Sequence, residues 1–423
     1  MNIVDIIEKK KNNCELTKEE ISFAVDSYLN GNINDSQMTS LLMAITINGM
    51  SFDETYNLTI SMLNSGEIID LSSINGIKVD KHSTGGVGDK TSLVVLPLVA
   101  ACGVKIAKMS GRGLGYTGGT IDKLESIGGF NVNLERNDFI DQVNKINLAL
   151  VSQSGNLVPA DKKIYALRDV TGTTESIPLI VSSIMSKKLA SGADKIVLDV
   201  KVGKGAFMKN IDDARELAKN MVKIGNSFGK ETVAILTNMD YPLGYTVGNS
   251  LEVLESIDTL DCKGETNFTK LCLLIASYMV SLGKNMDLEE AYKEVEEVYK
   301  NKKGLNKFYE FIKAQGGDIN NIKISSNEID IISKEEGYIT DIDTISLAEL
   351  VSNLGAGRKE KDDIINHKVG IKLLKRINDN VKPGDILMKV YTEDKIEIED
   401  YLKTITIGNN KIEEPKIIYE VIK

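Results

Sequence analysis

A chain of 423 residues exceeds what one hydrophobic core usually serves, so two or three structural units are expected. Its 42% hydrophobic and 26% charged residues suit a globular protein, and a formal net charge of -10 argues against nucleic acid as the main partner. An anionic substrate therefore needs a local positive site.

The opening MNIVDIIEKKKNNCELTKEE has no apolar core of signal-peptide length, and no stretch of about 20 residues is free of charge, so a cytoplasmic location without a membrane partner is expected. Cys14, Cys102, Cys262 and Cys272 are scattered without a CxxC pair, which points to buried free thiols rather than disulfides or a zinc site. There are two histidines, His82 and His367, the second in a polar stretch that suggests a structural or exposed side chain.

Residues 1–66 read as a helical cluster. Capping boxes run from Thr17 to Glu20 before ISFAVDSYL and from Ser51 to Glu54 before YNLTISML, and Asn34 caps a helix through SQMTSLLMAITI. From about residue 75 the texture becomes α/β, with GIKVD, VKIAKM, LALVS, KIVLDV and TVAIL as buried parallel strands and LVVLPLVAACG and ARELAKNMVKIG as crossover helices. This α/β unit covers 75–154 and 193–330. The interposed segment 155–192, PADKKIYALRDV and SIPLIVSSIMSKKLASG, contains no strand and is expected to complete a discontinuous all-helical domain with the N-terminal helices. Residues 331–423 are β-rich and turn-rich, an α+β unit in which Val381 to Ile386 resembles the barrel-sandwich hairpin of lipoyl and biotinyl carrier domains. It lacks an MKM-like tip with a modifiable lysine, so a structural role is expected.

Two glycine-rich loops carry the chemistry. VDKHSTGGVGDKTS takes a strand end into a helix start, where glycines admit an anion close to the backbone and free N–H groups favour negative charge. Lys81, Ser83 and Ser92 add a cation and two hydroxyls. KMSGRGLGYTGGTIDKLE repeats the arrangement with Lys108, Ser110 and Thr120. Adjacent strand ends of this kind form one crevice in a doubly wound sheet, so the pair reads as a phosphate site rather than two unrelated tight turns. Neither loop is GxxxxGK[ST], nor GxGxxG in its proper setting. His82, between Lys81 and Ser83, is a candidate donor; alone it would more often be structural. On a helix, Arg168, Lys187 and Tyr165 would ordinarily be surface or core residues.

SGRGLGYTGGTIDKLE resembles the signature of the thymidine and pyrimidine-nucleoside phosphorylases, and KHSTGGVGD, ADKKIYALRDVT and SIMSKKLASGAD match further blocks, so the resemblance spans essentially the whole chain. It implies a homodimer that cleaves pyrimidine nucleosides with inorganic phosphate, its helical domain facing the α/β domain across a cleft. Phosphate is then expected at Lys81, Ser83, Ser92, Lys108, Ser110 and Thr120. The base is expected at Arg168, Ser183 and Lys187, walled by Tyr165, Leu114 and Ile180, with His82, Arg168 and Lys187 catalytic. No organic cofactor is implied. A structural potassium ion is, held near Gly88 and position 90 by backbone oxygens and by Leu243, Thr246 and Glu255; with Lys90 here, its carbonyl is the group expected to serve. Tyr116 stands where many relatives have histidine, and no role is carried over to it. Relatives restricted to 2′-deoxynucleosides tend to carry methionine at Lys108, so this chain is expected to accept uridine, thymidine and deoxyuridine, with a thymidine-only enzyme as the alternative.

Two rivals remain. An anthranilate-type phosphoribosyltransferase would share the fold and a glycine-rich phosphate loop, but no suitably placed Asp-Glu pair for magnesium is evident. A non-catalytic nucleoside sensor would not need both the anion loops and the base donors.

Overall fold

A computed structural model of the chain describes residues 1–113, 118–153, 155–358, 360 and 363–423. Four helices come first: α1 (Ile3–Lys11), α2 (Lys18–Leu29), α3 (Asp35–Asn48) and α4 (Phe52–Leu63). Thr17 with Glu20, Asn34 with Gln37 and Ser51 with Glu54 each form a capping box, which satisfies two otherwise orphaned N–H groups at the start of α2, α3 and α4.

There follow β1 (Val79–Ser83), α5 (Thr91–Ala101), β2 (Ile106–Ser110), α6 (Thr120–Glu125), α7 (Arg136–Ile146) and β3 (Leu148–Ser152). The interposed helices are α8 (Pro159–Asp169) and α9 (Ile177–Ala190), and the alternation resumes with β4 (Lys195–Val202), α10 (Ile211–Ser227) and β5 (Glu231–Asn238). Strand β1 starts later than GIKVD suggests, because Lys78 forms only an isolated bridge to Lys105. That bridge joins the parallel pair β2–β3 to the parallel run β1–β4–β5. The spatial order is therefore 3-2-1-4-5, and the direction of winding reverses between β1 and β4. In open α/β sheets this switch point is where ligands bind.

Helices α8 and α9 pack on α2, α3 and α4, so the helical region is discontinuous in sequence. Period-two alternation sorts β4 between two cores. Ile196, Leu198 and Val200 face the helical region together with α10, while Val197 faces α5 and α12 (Thr266–Lys284).

The second half adds β6 (Thr246–Val247), α11 (Asn249–Leu260), α13 (Leu288–Lys300) and α14 (Lys303–Ala314) around α12. The C-terminal region holds β7 (Glu328–Ile332), β8 (Gly337–Ile342), α15 (Thr344–Val351), β9 (Gly370–Leu373), β10 (Asn380–Val381), β11 (Ile386–Tyr391), α16 (Ile398–Leu402), β12 (Ile405–Gly408) and β13 (Ile418–Ile422). It is mixed α and β, with sheets β10-β8-β12 and β6-β9-β11-β7, and no sheet among the described residues closes into a barrel. The expected hairpin at Val381 to Ile386 is also absent as such. Val381 pairs with β8 while Ile386 pairs with β7, so the turn at Gly384 hands the chain from one sheet to the other. Two strands cross between regions, since β6 joins the C-terminal sheet and β13 returns antiparallel to β5.

All four cysteines are free, but Cys14 and Cys262 are exposed, so burial holds only for Cys102 and Cys272. His367 is half-buried, and its carbonyl accepts from the Ser250 N–H. No single helix among the described residues is long and apolar enough to cross a membrane.

Candidate active site

At the carboxyl ends of β1 and β4, charged side chains are buried where a strand would normally bury apolar ones. Lys81 is completely buried, donates to the Thr91 hydroxyl and lies 3.5 Å from Asp199 Oδ2. Lys201 lies 2.7 Å from the same oxygen, an ion pair in which both side chains are completely buried. Asp89 accepts from the Ser83 hydroxyl and, at 3.1 and 2.6 Å, from the N–H and hydroxyl of Thr91 at the start of α5.

On the opposite face of β1, Asp80 gathers a second group. Its Oδ1 accepts from Lys108 at 3.2 Å and its Oδ2 from Lys188 of α9 at 2.6 Å. Lys108 also donates to the Lys81 carbonyl at 2.5 Å. Four lysines, Lys81, Lys108, Lys188 and Lys201, thus face three aspartates, Asp80, Asp89 and Asp199, a surplus of positive charge where an anion is expected.

Burial and pairing set the ionisation here. Burial would raise the Asp80 carboxyl, but Lys108 and Lys188 outweigh it and hold it at about 2. Burial likewise opposes ionisation of Asp89, and Lys201 and Lys81 more than offset it, keeping that carboxyl well below the usual range. Lys108 is lowered by burial, supported by Asp80 and opposed by Lys188 and Lys81, and settles at about 8. For His82, burial and then the charges of Lys188 and Lys108 prevail over Asp80 and push it well below the ordinary histidine value. Its imidazole is neutral at neutral pH.

The helical face is built differently. Along α8, Asp161, Tyr165 and Arg168 recur at helical spacing, as do Ile180, Ser183 and Lys187 along α9, so each set shares one side of its helix. Buried Arg168 donates through Nε to Thr173 O at 3.2 Å, through Nη1 to Leu179 O at 3.2 Å and through Nη2 to Thr174 O at 2.9 Å. A guanidinium has five N–H groups, so this anchoring leaves two for a ligand. Lys187 donates to Asp161 Oδ2 at 2.7 Å and to the Ser183 hydroxyl at 2.9 Å. The Tyr165 ring lies 5.6 Å from the Arg168 guanidinium carbon and 5.7 Å from the Lys187 ammonium. Two helices thereby bring Arg168, Lys187, Tyr165 and Ser183 together, with Ile180 half-buried beside them. Lys187 adjoins Lys188, which reaches Asp80, so the helical group and the sheet-end group are neighbours.

Ser92 is buried in the first turn of α5, Ser110 ends β2 and Thr120 opens α6. Leu114 and Tyr116 lie outside the described residues. The second glycine loop is braced from the C-terminal region, where Arg358 reaches Asp122 Oδ1 at 2.6 Å while Asp122 Oδ2 accepts from Gly113 N at 2.6 Å. Gly88, Leu243, Thr246 and Glu255 do converge, on the ammonium of Lys90.

Sequence reasoning missed Asp80, Asp89, Asp161, Lys188, Asp199 and Lys201. A usable signal was the placing of charges inside apolar strands, VDKHS and VLDVKV, since a strand covered on both faces buries whatever it carries. No such signal marks Asp161, whose tie to Lys187 spans 26 residues.

Comparison with known proteins follows the same division. Residues 4–66 match the helical bundle domain of a glycosyl transferase family, residues 75–305 its α/β domain, and residues 338–410 the pyrimidine nucleoside phosphorylase C-terminal domain. A pyrimidine-nucleoside phosphorylase of Geobacillus stearothermophilus is 51% identical across 100% of both chains, and one of Bacillus subtilis (strain 168) is 55% identical across 92% of each. Among solved structures, an anthranilate phosphoribosyltransferase from Thermus thermophilus superposes with a TM-score of 0.58, covering 73% of this chain and 98% of that one. At 15% identity this is a likeness of fold alone.

Proposed function

The chain belongs to the pyrimidine-nucleoside phosphorylase family, and from that premise we propose how its residues divide the work of the reaction. The enzyme uses inorganic phosphate to cleave pyrimidine nucleosides, releasing the base and a pentose 1-phosphate. Lys81, Ser83, Ser92, Lys108, Ser110 and Thr120 hold phosphate at the sheet ends. Arg168, Ser183 and Lys187 hold the two base carbonyls and the N–H between them, with Tyr165 and Ile180 as walls. The observation that carries this division is the adjacency of Lys187, among the base donors, to Lys188, which is paired with Asp80 beside Lys81.

Cleavage develops positive charge on the sugar and negative charge on the departing base, so Arg168 and Lys187 bind the base more strongly as the bond breaks. Phosphate attacks the sugar from the opposite face, inverting the anomeric centre to an α-pentose 1-phosphate. Neutral His82 serves as a hydrogen-bond donor to base O2 rather than as a resident acid. The chain crosses between the helical and α/β regions after α4, after β3 and after α9, connections suited to closing the two groups onto one sugar by hinge bending. Lys108 reads the 2′-hydroxyl, so ribo- and deoxyribonucleosides are both substrates, and the enzyme acts as a homodimer.

The test is phosphorolysis of uridine, thymidine, deoxyuridine and cytidine side by side, with light scattering for the dimer. Cytosine sets an amino donor against the cationic donors, so cytidine is expected to be poor. Pentose 1-phosphate release from the other three supports the assignment; activity only with phosphoribosyl pyrophosphate and magnesium overturns it.

A further inference from the structure

The loop between β5 and α11 turns a row of carbonyls inward. The carbonyls of Pro242 and Gly244 accept from Arg376. Those of Leu243 and Thr246 accept from Lys90 Nζ at 2.6 and 3.1 Å, joined by Gly88 O at 3.0 Å and Glu255 Oε2 at 2.9 Å. The Phe268 ring closes another side, its centroid 5.3 Å from the ammonium, and the Lys90 side chain is completely buried.

The shell is closely fitted. Gly88 has φ +69°, and a Cβ there would come within 3.0 Å of the Leu243 and Thr246 carbonyls; Gly244 has φ +65°, and a Cβ there would collide with the Glu255 carboxylate. Glu255 is fixed in turn by Tyr245 N at 2.6 Å, Thr246 N at 2.8 Å and the Thr246 hydroxyl at 2.5 Å. Three carbonyls and one carboxylate around a central unit charge are what a hard monovalent cation prefers. An ammonium occupies that centre, and a separate ion would have to displace it. The residues at this site therefore do not fit a resident potassium ion.

We propose that Lys90 is a covalently attached substitute for a monovalent cation, which frees this enzyme from any requirement for potassium. Lys90 immediately precedes α5, so its ammonium pins the first glycine loop, with Lys81 and Ser83 at its root, to the loop that feeds β6 and the C-terminal sheet. An exchangeable ion would make that linkage depend on the medium. A tethered one makes it constant. The inference does not depend on the reaction assigned above, since folding stability reports it without turnover.

The experiment compares the wild-type chain with Lys90→Thr and Lys90→Met in potassium, ammonium and choline chloride at equal ionic strength, reading thermal unfolding and phosphorolysis. The wild type should show the same Tm and activity in all three salts. Lys90→Thr removes the ammonium and leaves the buried Glu255 carboxylate without its cation, so its Tm in choline chloride should fall by roughly 5–10 °C and recover, with saturation, in potassium or ammonium chloride. Lys90→Met fills the space without charge and should show the loss without the recovery. A wild-type protein that loses Tm or activity when potassium is replaced by choline overturns the proposal, as does a folded Lys90→Thr variant indifferent to the salt. Should Lys90→Thr fail to fold in every salt, the wild-type comparison decides alone.

Discussion

The sheet ends and the helical face both present cations, but they hold them in opposite ways. At the sheet ends Lys81, Lys108 and Lys201 are buried and already faced by Asp80 and Asp199, so an arriving anion must share or replace carboxylates that are already paired with lysines. On the helical face Arg168 is held by neutral carbonyls, and Lys187 has one carboxylate partner and a side chain 23% exposed. Its donors are anchored yet partly unused. On the proposed division, the site for a highly charged ligand stores countercharge, whereas the site for a neutral ring stores geometry.

The contrast is broken most severely by Lys81→Ala. Removing one member of a buried charge group should cost about 3–5 kcal/mol of stability. Turnover at limiting phosphate should also fall roughly 10- to 150-fold, the loss of a charge-assisted donor worth about 1.5–3 kcal/mol. Urea unfolding and phosphate saturation curves measure both, and a folded variant with unaltered phosphate kinetics would remove Lys81 from the site. Acid titration probes the same region more gently. With Asp80 held at about 2 when folded, below the ordinary carboxylate value, the unfolded chain binds more protons in between. This group's contribution, about 2 kcal/mol, should be complete above pH 4 and vanish as pH falls through 2. Asp80→Asn should flatten that window in acid-unfolding curves.

Tyr165→Ala sharpens the comparison from the helical side. The ring is 36% exposed and uncharged, so if it is the proposed wall of the base site the nucleoside KM should rise roughly five- to ten-fold while phosphate KM and Tm stay near wild type. A matching rise in phosphate KM would mean the two sides are not separable. The smallest expected effect is the basic limb of the pH profile. Lys108 titrates at about 8 in the folded chain, so the kcat/KM for phosphate should halve near that pH as the ammonium loses its proton. Between there and the ordinary lysine value the unfolded chain binds more protons, so Lys108 makes stability rise with pH over the same range. Lys108→Met should abolish the limb and, if the lysine reads the sugar, lower activity on uridine more than on thymidine. Equal losses on both would leave it a purely electrostatic role.

Much of this is legible in the sequence itself. Capping boxes at Thr17 and Ser51, the cap at Asn34, strands such as LALVS and the two glycine loops follow local rules of spacing and backbone conformation. The convergence of Arg168 and Lys187 was not, because it depends on how α8 crosses α9. The role of Lys90 was hidden for a related reason. Its carbonyl was the expected contributor, whereas its side chain takes the central place, and only the approach of residues 243–246 shows which. The hairpin expected at Val381 to Ile386 is not formed, since the sequence does not state which sheet each flank joins.

The discontinuity of the helical region has a consequence during synthesis. Helices α1 to α4 leave the ribosome before their packing partners α8 and α9, which begin only at Pro159 and Ile177. At ordinary elongation rates the apolar faces of the early helices wait about 5–20 s for roughly a hundred residues to be made. Through that interval Leu42, Leu58 and Met62 are covered only by apolar residues of the early helices such as Ile21, Val25, Met38 and Leu41, and the face that α8 and α9 later close stays open to solvent.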